Sequence, residues 1–293
     1  MSLFSSRLLK GLRPPVPFDD PYGSKGRWAE FARAQEIAWR TAHCAPPGWC
    51  ERPQALQVAM LADLHVGSHT DDADRLIKIV SKINRRGPDI VLLLGDYVNM
   101  QPFGGGRIPP SVTSAILEEL TAPLGVYAVL GNHDHDYGKE RIAGALTQAG
   151  VTVLENASEV ISSPKGDFVL IGLPALALNG SGLGALIDAA PKDMPGIIMA
   201  HDPAVFAHVP GGPYITVSGH THGGQFRLPR IGPVVNSSRA PLRWSHGHIV
   251  ENDRHLYVSS GIGTSVIPLR IGCPPEVNFV HLGGANGASE DEV

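Results

Sequence analysis

Five short apolar runs in this chain each stop at residues that can bind a metal ion. Helical patterns separate the first three runs, and such alternation is typical of a largely parallel α/β sheet. In open sheets of that type, functional sites form outside the carboxyl ends of the strands. The sequence therefore predicts an α/β fold in which five strand ends carry ligand-type side chains. The motifs at these ends are Asp63-Leu64-His65, Gly95-Asp96, Gly131-Asn132-His133-Asp134, His201 and Gly219-His220-Thr221-His222.

The spacing of apolar residues predicts the remaining elements. Strands are expected at 56–62, 89–94, 125–130, 151–154, 159–162, 168–173, 197–200 and 214–217, then antiparallel strands at 246–250, 255–259 and 277–281. Helices are expected at 25–43, 71–86, 111–120, 139–149 and 182–190. The first helix rests on the spacing of Trp28, Phe31, Gln35, Ala38 and Trp39, and the second on Leu76, Ile77, Val80 and Ile83. His69, between the first strand and the second helix, is expected to face solvent.

The composition is that of an ordinary globular protein. Of its 293 residues, 43% are hydrophobic and 18% are charged, which allows a substantial core. The net charge of -4 provides no global field for a nucleic-acid polymer, so none is expected as a partner. Three cysteines form no disulfide framework, and no apolar run reaches the roughly 20 residues of a membrane span. We therefore expect free thiols and a cytoplasmic protein.

The chain is predicted to contain one domain with two appendages. Residues 1–53 are interpreted as an N-terminal arm with a helix, 54–282 as the main domain and 283–293 as a flexible, acidic tail. Leucines alternate with basic residues at the start of the arm. Such a segment packs on its own domain or lies on an anionic membrane surface, here the inner face of the membrane. Both interpretations remain open.

The residue types at the strand ends indicate which ions they would bind. Asp, Asn and His are ligands of borderline divalent metals such as Mn, Fe, Zn and Co, whereas Ca and Mg prefer oxygen alone. A single Asp or His at a strand end is commonly a cap or a turn residue. Five such ends in one fold favour a metal site. His220 and His222 are two positions apart, so on an extended segment they point to the same side.

The order of these motifs resembles that of the calcineurin-like metallophosphoesterase family, over roughly residues 58–280. Three stretches are similar to its bacterial YkuE-like and YaeI-like phosphodiesterase branch: Gly95-Asp96-Tyr97-Val98, Ser218 to Gln225 and Arg270 to Glu276. That branch includes an enzyme that cleaves the pyrophosphate of UDP-2,3-diacylglucosamine. Many of its members carry an N-terminal membrane segment, which this sequence does not show. The resemblance implies a four-layer α-β-β-α sandwich, with two mixed sheets flanked by helices.

The resemblance also implies a role for each strand-end residue. Asp96 would bridge two divalent metal ions roughly 3.5–4 Å apart, a spacing suited to in-line phosphoryl displacement by a water or hydroxide held between them. His133 would stabilise the transition state or protonate the leaving oxygen, and Asp134 would orient His133. The implied ligands of one ion are Asp63, His65 and His222. Those of the other are Asn132, His201 and His220.

Substrate contacts are predicted less sharply. His135 is expected to support the metal ligands or to face the substrate. Arg227 and Arg230 follow the last motif on loops, where arginines suit phosphate oxygens or simply form a solvated basic face. The glycine-rich segment 101–110 could cover the site as a mobile lip. The expected substrate is a small or lipid-linked phosphodiester or pyrophosphate. Two alternatives remain: a non-catalytic metal- or phosphate-binding module, and a peripheral membrane protein that acts through its arm.

Overall fold

Two six-stranded mixed sheets lie face to face at the centre of the fold. They are seen in a computed structural model that describes residues 16–17, 24–25, 32, 34–101, 103–175 and 177–284. Both sheets have parallel strands in the middle, and their carboxyl ends carry the motifs described above. The predicted α/β class is confirmed.

The first sheet has the strand order β2-β16-β3-β4-β6-β7. Strands β3, β4, β6 and β7 are parallel, whereas β16 runs antiparallel to β3 and parallel to β2. Its strands are β2 (Ala38–Cys44), β3 (Leu56–Leu61), β4 (Ile90–Leu93), β6 (Val126–Ala128), β7 (Thr152–Val153) and β16 (Glu276–Leu282). Helices α1 (Asp72–Arg86), α2 (Pro110–Leu117) and α3 (Asn132–Gln148) pack on its outer face.

The second sheet has the order β14-β15-β11-β10-β9-β8, with both edge strands antiparallel to their neighbours. Its strands are β8 (Ala157–Ile161), β9 (Phe168–Gly172), β10 (Gly196–Met199), β11 (Tyr214–Ser218), β14 (Gly247–Glu251) and β15 (Arg254–Val258). Helix α4 (Leu183–Ala189) covers its outer face. Two short strand pairs lie outside these sheets: β1 (Ser24–Lys25) with β5 (Gly106–Arg107), and β12 (Arg227–Leu228) with β13 (Gly232–Pro233).

Alternating side chains in the strands divide the core into three layers. In β3, Ala59 and Leu61 face the helices, whereas Val58 and Met60 face the second sheet. The outward face of the second sheet forms a third cluster with Leu183 and Phe206. Helices, sheet, sheet and helices thus follow one another, which confirms the predicted four-layer sandwich.

The predicted helix at 25–43 is wrong in the part that the structure describes. Residues 34–37 have no regular structure, and Ala38–Cys44 form strand β2, paired in register with β16. The Trp39 ring packs against Phe279, with ring centroids 6.3 Å apart, and the Lys82 ammonium lies 4.1 Å from its centroid. Residues 26–31 and 33 lie outside the described residues.

Three local predictions around the helices also need correction. In α1, Ile77 is exposed, and Ile79 is buried in its place. His69 is buried rather than in solvent, because its ring and backbone N–H contact the Asp72 carboxylate at the start of α1. Helix α3 begins at Asn132, seven residues before the predicted start, and is interrupted at Gly138.

The N-terminal arm is described only in part. Residues 1–15 and 285–293 lie outside the described residues, so the membrane-surface segment and the tail stay predictions. The division at residue 53 also stays a prediction, although β2 lies within the first sheet. Cys44, Cys50 and Cys273 are free thiols, as expected. Among the described residues, no helix combines the length and apolar character needed to cross a bilayer.

Candidate metal centre

The carboxyl ends of the two sheets bring the strand-end motifs together. Strands β3, β4 and β6 deliver residues from the first sheet, and β10 and β11 deliver residues from the second. Three groups have ligand atoms within 4.8 Å of one another: Asp63, His65 and His222; His65, Asp96 and His133; and Asp96, His201 and His220. His65 and Asp96 each belong to two groups, so the groups form one continuous cluster.

The backbone at these strand ends is bent sharply. Five of the seven predicted ligands have positive φ angles, between 39° and 66°: Asp63, His65, Asp96, His220 and His222. Non-glycine residues rarely adopt this region, and when they do, they commonly lie at functional sites. Gly131 allows a close approach, since a Cβ there would lie 2.1 Å from Asp96 Oδ1. These strand ends bring their side chains close to one another at the carboxyl ends of the two sheets.

The first candidate position lies among Asp63, His65 and His222. His65 Nδ1 lies 3.3 Å from the Val98 carbonyl oxygen, so this nitrogen carries the ring proton. His65 Nε2 then carries a lone pair. This atom has no hydrogen-bond partner and lies 3.5 Å from Asp96 Oδ2. His222 Nε2 lies 3.9 Å from Asp63 Oδ1. A buried lone pair beside two carboxylates fits a cation.

The second candidate position has more acceptors than donors. His201 Nδ1 donates to the Leu94 carbonyl at 2.7 Å, so Nε2 is a lone pair. This Nε2 faces Asn132 Oδ1 at 3.2 Å, Asp96 Oδ2 at 3.3 Å and His220 Nδ1 at 3.1 Å. His220 Nε2 faces Asp202 Oδ2 at 3.5 Å, which directs its proton away from the cluster. Facing lone pairs repel unless a cation lies between them, so this set also fits a metal ion.

The pKa shifts in the cluster also indicate that it needs positive charge. Burial alone would lower the pKa of His201, but the Asp96 carboxylate outweighs it and raises this pKa to about 10. Without a metal, a proton would therefore supply the missing positive charge. Burial raises the pKa of Asp96, but His201 and other nearby imidazoles hold it well below its usual range. Burial raises the pKa of Asp63 to about 7.

His133 and Asp134 lie at the start of α3, beside the cluster. The His133 N–H donates to Asp96 Oδ1 at 2.9 Å, and its ring lies edge-on to His65 with centroids 5.0 Å apart. The Asp134 carboxylate accepts the backbone N–H groups of Asp96, Tyr97 and Gly131 at 2.8–2.9 Å. Asp134 thus joins the ends of β4 and β6. Burial raises its pKa to about 7.

Sequence reasoning missed three residues that support the cluster. Gln101 Nε2 lies 3.1 Å from His133 Nε2, and the Asp202 carboxylate faces His220. The buried Arg270 guanidinium donates to the carbonyls of Ser260, Gly261 and Gly263. Arg270 stands in a motif that carried the family resemblance, which was the available signal for it. The other two contacts join distant parts of the chain.

The predicted substrate residues lie around this centre without a defined role. His135 is a quarter exposed, and its Nε2 lies 3.9 Å from Glu155 Oε1. Arg227 lies in β12, and Arg230 follows in the exposed turn before β13. Their contacts with substrate stay predictions.

A cleft with apolar walls borders the cluster at His222. Phe226, Val235, Val266 and Ile267 contribute these walls. The Gln225 side chain spans the cleft: its amide nitrogen donates to the carbonyls of Ile267 and Leu269, and its oxygen accepts the Ser265 N–H. Gln101 Nε2 lies 3.4 Å from Ser265 Oγ. The cleft is therefore linked to His133 as well as to His222.

Comparison with known proteins identifies a family and several relatives. A family model described as "Calcineurin-like phosphoesterase" matches residues 56–224. "Phosphodiesterase YaeI" of Escherichia coli (strain K12) is 31% identical over 258 residues, covering 82% of this chain and 91% of that protein. "Uncharacterized metallophosphoesterase YkuE" of Bacillus subtilis (strain 168) is 27% identical over 234 residues, covering 78% of this chain and 80% of that protein.

Proposed function

The chain belongs to the calcineurin-like phosphoesterase family and is a metal-dependent phosphoesterase, and we propose that it hydrolyses a phosphodiester or pyrophosphate bond. The supporting observation is that Asp96 Oδ2, Asn132 Oδ1 and His220 Nδ1 all lie 3.1–3.3 Å from His201 Nε2. Two divalent ions, here proposed as Mn, Fe or Zn, would supply the positive charge that this set lacks.

Each side chain has a distinct part in the proposed reaction. Asp63, His65 and His222 would hold one ion, Asn132, His201 and His220 would hold the other, and Asp96 would contribute to both. Bound ions would make a water molecule more acidic and offset charge on the phosphate oxygens. His133 gives a proton to the leaving oxygen. Asp134 keeps His133 and Asp96 in place through the backbone N–H groups that it binds.

The substrate is proposed to carry an apolar group. The E. coli relative is named a phosphodiesterase, and the cleft at His222 has apolar walls. Both features suit a lipid-linked diester or pyrophosphate such as UDP-2,3-diacylglucosamine. A small nucleotide-like diester is the alternative. Comparing kcat/KM for the two substrate classes decides between them, and the lipid-linked proposal requires the higher value for the amphiphile.

The proposal is tested by hydrolysis of an aryl phosphodiester in the presence of Mn²⁺. We expect Asp96→Asn to lose roughly 10³-fold in kcat/KM, because both ions lose a shared carboxylate, and His133→Ala to lose roughly 10²-fold. His248→Ala and Asp193→Asn change exposed residues of the same types elsewhere and should retain wild-type rates. Equal activity of the wild type, Asp96→Asn and His133→Ala would refute these roles.

A further inference from the structure

Exposed apolar side chains are concentrated beside the metal centre. Ten large hydrophobic residues are exposed in the part of the chain that the structure describes, and five of these lie within the short segments 226–235 and 265–271. A cluster of this kind marks an interaction surface more often than scattered single residues do. We call this cluster the apolar rim; its members are Leu228, Ile231, Val234, Leu269 and Ile271, which are 46–73% exposed.

The two segments of the apolar rim form one surface. The Arg227 N–H donates to the Ile271 carbonyl at 2.8 Å, and the Ile271 N–H donates to the Gln225 carbonyl at 2.9 Å. The β12–β13 hairpin satisfies part of its own backbone, with the Val234 N–H bonded to the Phe226 carbonyl. Ile231, in the turn, is 73% exposed. Its side chain can therefore enter an apolar phase without breaking these backbone hydrogen bonds.

The apolar rim continues into the candidate active site. Segments 226–235 and 265–271 also supply the apolar walls of the cleft that ends at His222. Gln225 joins the two segments across that cleft through its side-chain amide. The apolar rim thus borders the cleft that lies next to the metal centre.

The charge around the apolar rim is positive, although the chain as a whole has a net charge of -4. Residues 203–250 contain no Asp or Glu, and neither do residues 254–275. Arg227 and Arg230 lie in the hairpin itself, whereas Arg243 is paired with Glu251 at 2.7 Å. Apolar tips on segments that carry arginines and no carboxylates of their own complement an anionic surface.

We propose that the apolar rim docks on an anionic lipid surface and turns the metal centre toward it. The apolar tips enter the interface, and the arginines contact the lipid phosphates. The residues of this face belong to segments 226–235 and 265–271, not to the N-terminal residues to which the sequence assigned membrane contact. Only the consequence for catalysis, delivery of an amphiphilic phosphoester through the cleft, rests on the proposed function.

Docking is tested by co-sedimentation of the full chain with phosphatidylglycerol vesicles and with phosphatidylcholine vesicles. We expect binding to phosphatidylglycerol that weakens as salt is raised, because the arginines contribute by charge. The variant Leu228→Ser/Ile231→Ser should bind roughly tenfold less, because two apolar side chains are no longer transferred from water into the lipid interface. The control Val160→Ser/Val250→Ser removes side chains of comparable exposure, 49% and 53%, from the edges of the second sheet, and should bind like the wild type.

Three outcomes would overturn the proposal: no vesicle binding by the wild type, equal binding by the rim variant, or an equal loss in the control. Binding of a soluble amphiphile or self-association through the rim, without vesicle binding, would assign this face a different partner. Melting temperature reports whether each variant folds. Hydrolysis of a soluble aryl phosphodiester, measured separately, reports the metal centre, so a failed docking proposal is distinguishable from a failed proposed function.

Discussion

The two candidate metal positions differ in how far they are enclosed. Asp63, His65 and His222 are all buried, with the His222 side chain 4% exposed. At the other position, Asn132 is half-buried and the His220 side chain is 14% exposed. The first sheet supplies both carboxylates, and the second sheet supplies imidazoles alone. We infer that the more open position exchanges its ion faster.

The largest expected effect on the difference in ion exchange comes from replacing one histidine at each position. His220→Ala should leave one tightly bound ion, whereas His222→Ala should leave one ion that a chelator removes quickly. Each variant should lose roughly 10²–10³-fold in kcat/KM, because a single ion cannot offset all the charge of the reaction. Metal content per chain, followed during dialysis against a chelator, measures the effect.

The wild type is the control for this experiment and should release its two ions in two phases. Release of both ions at one rate from the wild type, or the same residual ion in both variants, would remove the distinction between the positions.

Removing Gln101 should have a smaller effect, confined to the step that His133 serves. Gln101→Ala leaves the candidate ligands in place but removes the Gln101 contact with His133 Nε2, so we expect roughly a 10-fold loss in kcat, with less change in KM. The loss should grow for diesters with poor leaving groups, because those need a proton most. Gln148→Ala, at the exposed end of α3, is the matched control. A loss that is the same for good and poor leaving groups would contradict the positioning role.

The smallest expected effect concerns hydrogen bonds between the two sheets that involve none of the candidate metal ligands. The Glu276 carboxylate accepts hydrogen bonds from His246 Nε2, the Ser260 N–H and Asn278 Nδ2. Burial alone would raise its pKa, but these partners lower it to about 2. A depressed carboxyl pKa stabilises the folded state above the unfolded pKa, and this contribution is lost as pH falls from roughly 4.5 to 2.

Urea unfolding across that pH range measures this contribution. The free energy of unfolding should fall more steeply for the wild type than for Glu276→Gln. The control Glu140→Gln removes an exposed carboxylate of α3 and should keep the wild-type slope. Parallel curves for the wild type and Glu276→Gln would show that this carboxylate does not contribute.

The sequence predicted the elements whose residues determine them locally. Strands such as Ile90–Leu93 are short apolar runs followed by polar residues. This local pattern does not depend on which distant elements pack against the strand. Strand β2 was mistaken for a helix because Ala38 and Trp39 fit a helical spacing, while its actual partner β16 lies more than 200 residues away. Gln101 and Asp202 could not be assigned for the same reason, because each acts through a contact with a distant loop.

Strand β16 has a consequence for how the chain folds during synthesis. It lies between β2 and β3, so the edge of the first sheet is completed by residues 276–282. Until a ribosome has released these residues, β2 has no neighbour in its sheet and β3 has an open edge. Sequence-distant pairing of this kind slows folding and leaves strand edges exposed meanwhile. In a nascent chain, the candidate ligand motifs that follow β3, β4 and β6 therefore lie in an unfinished sheet until residues 276–282 have been made.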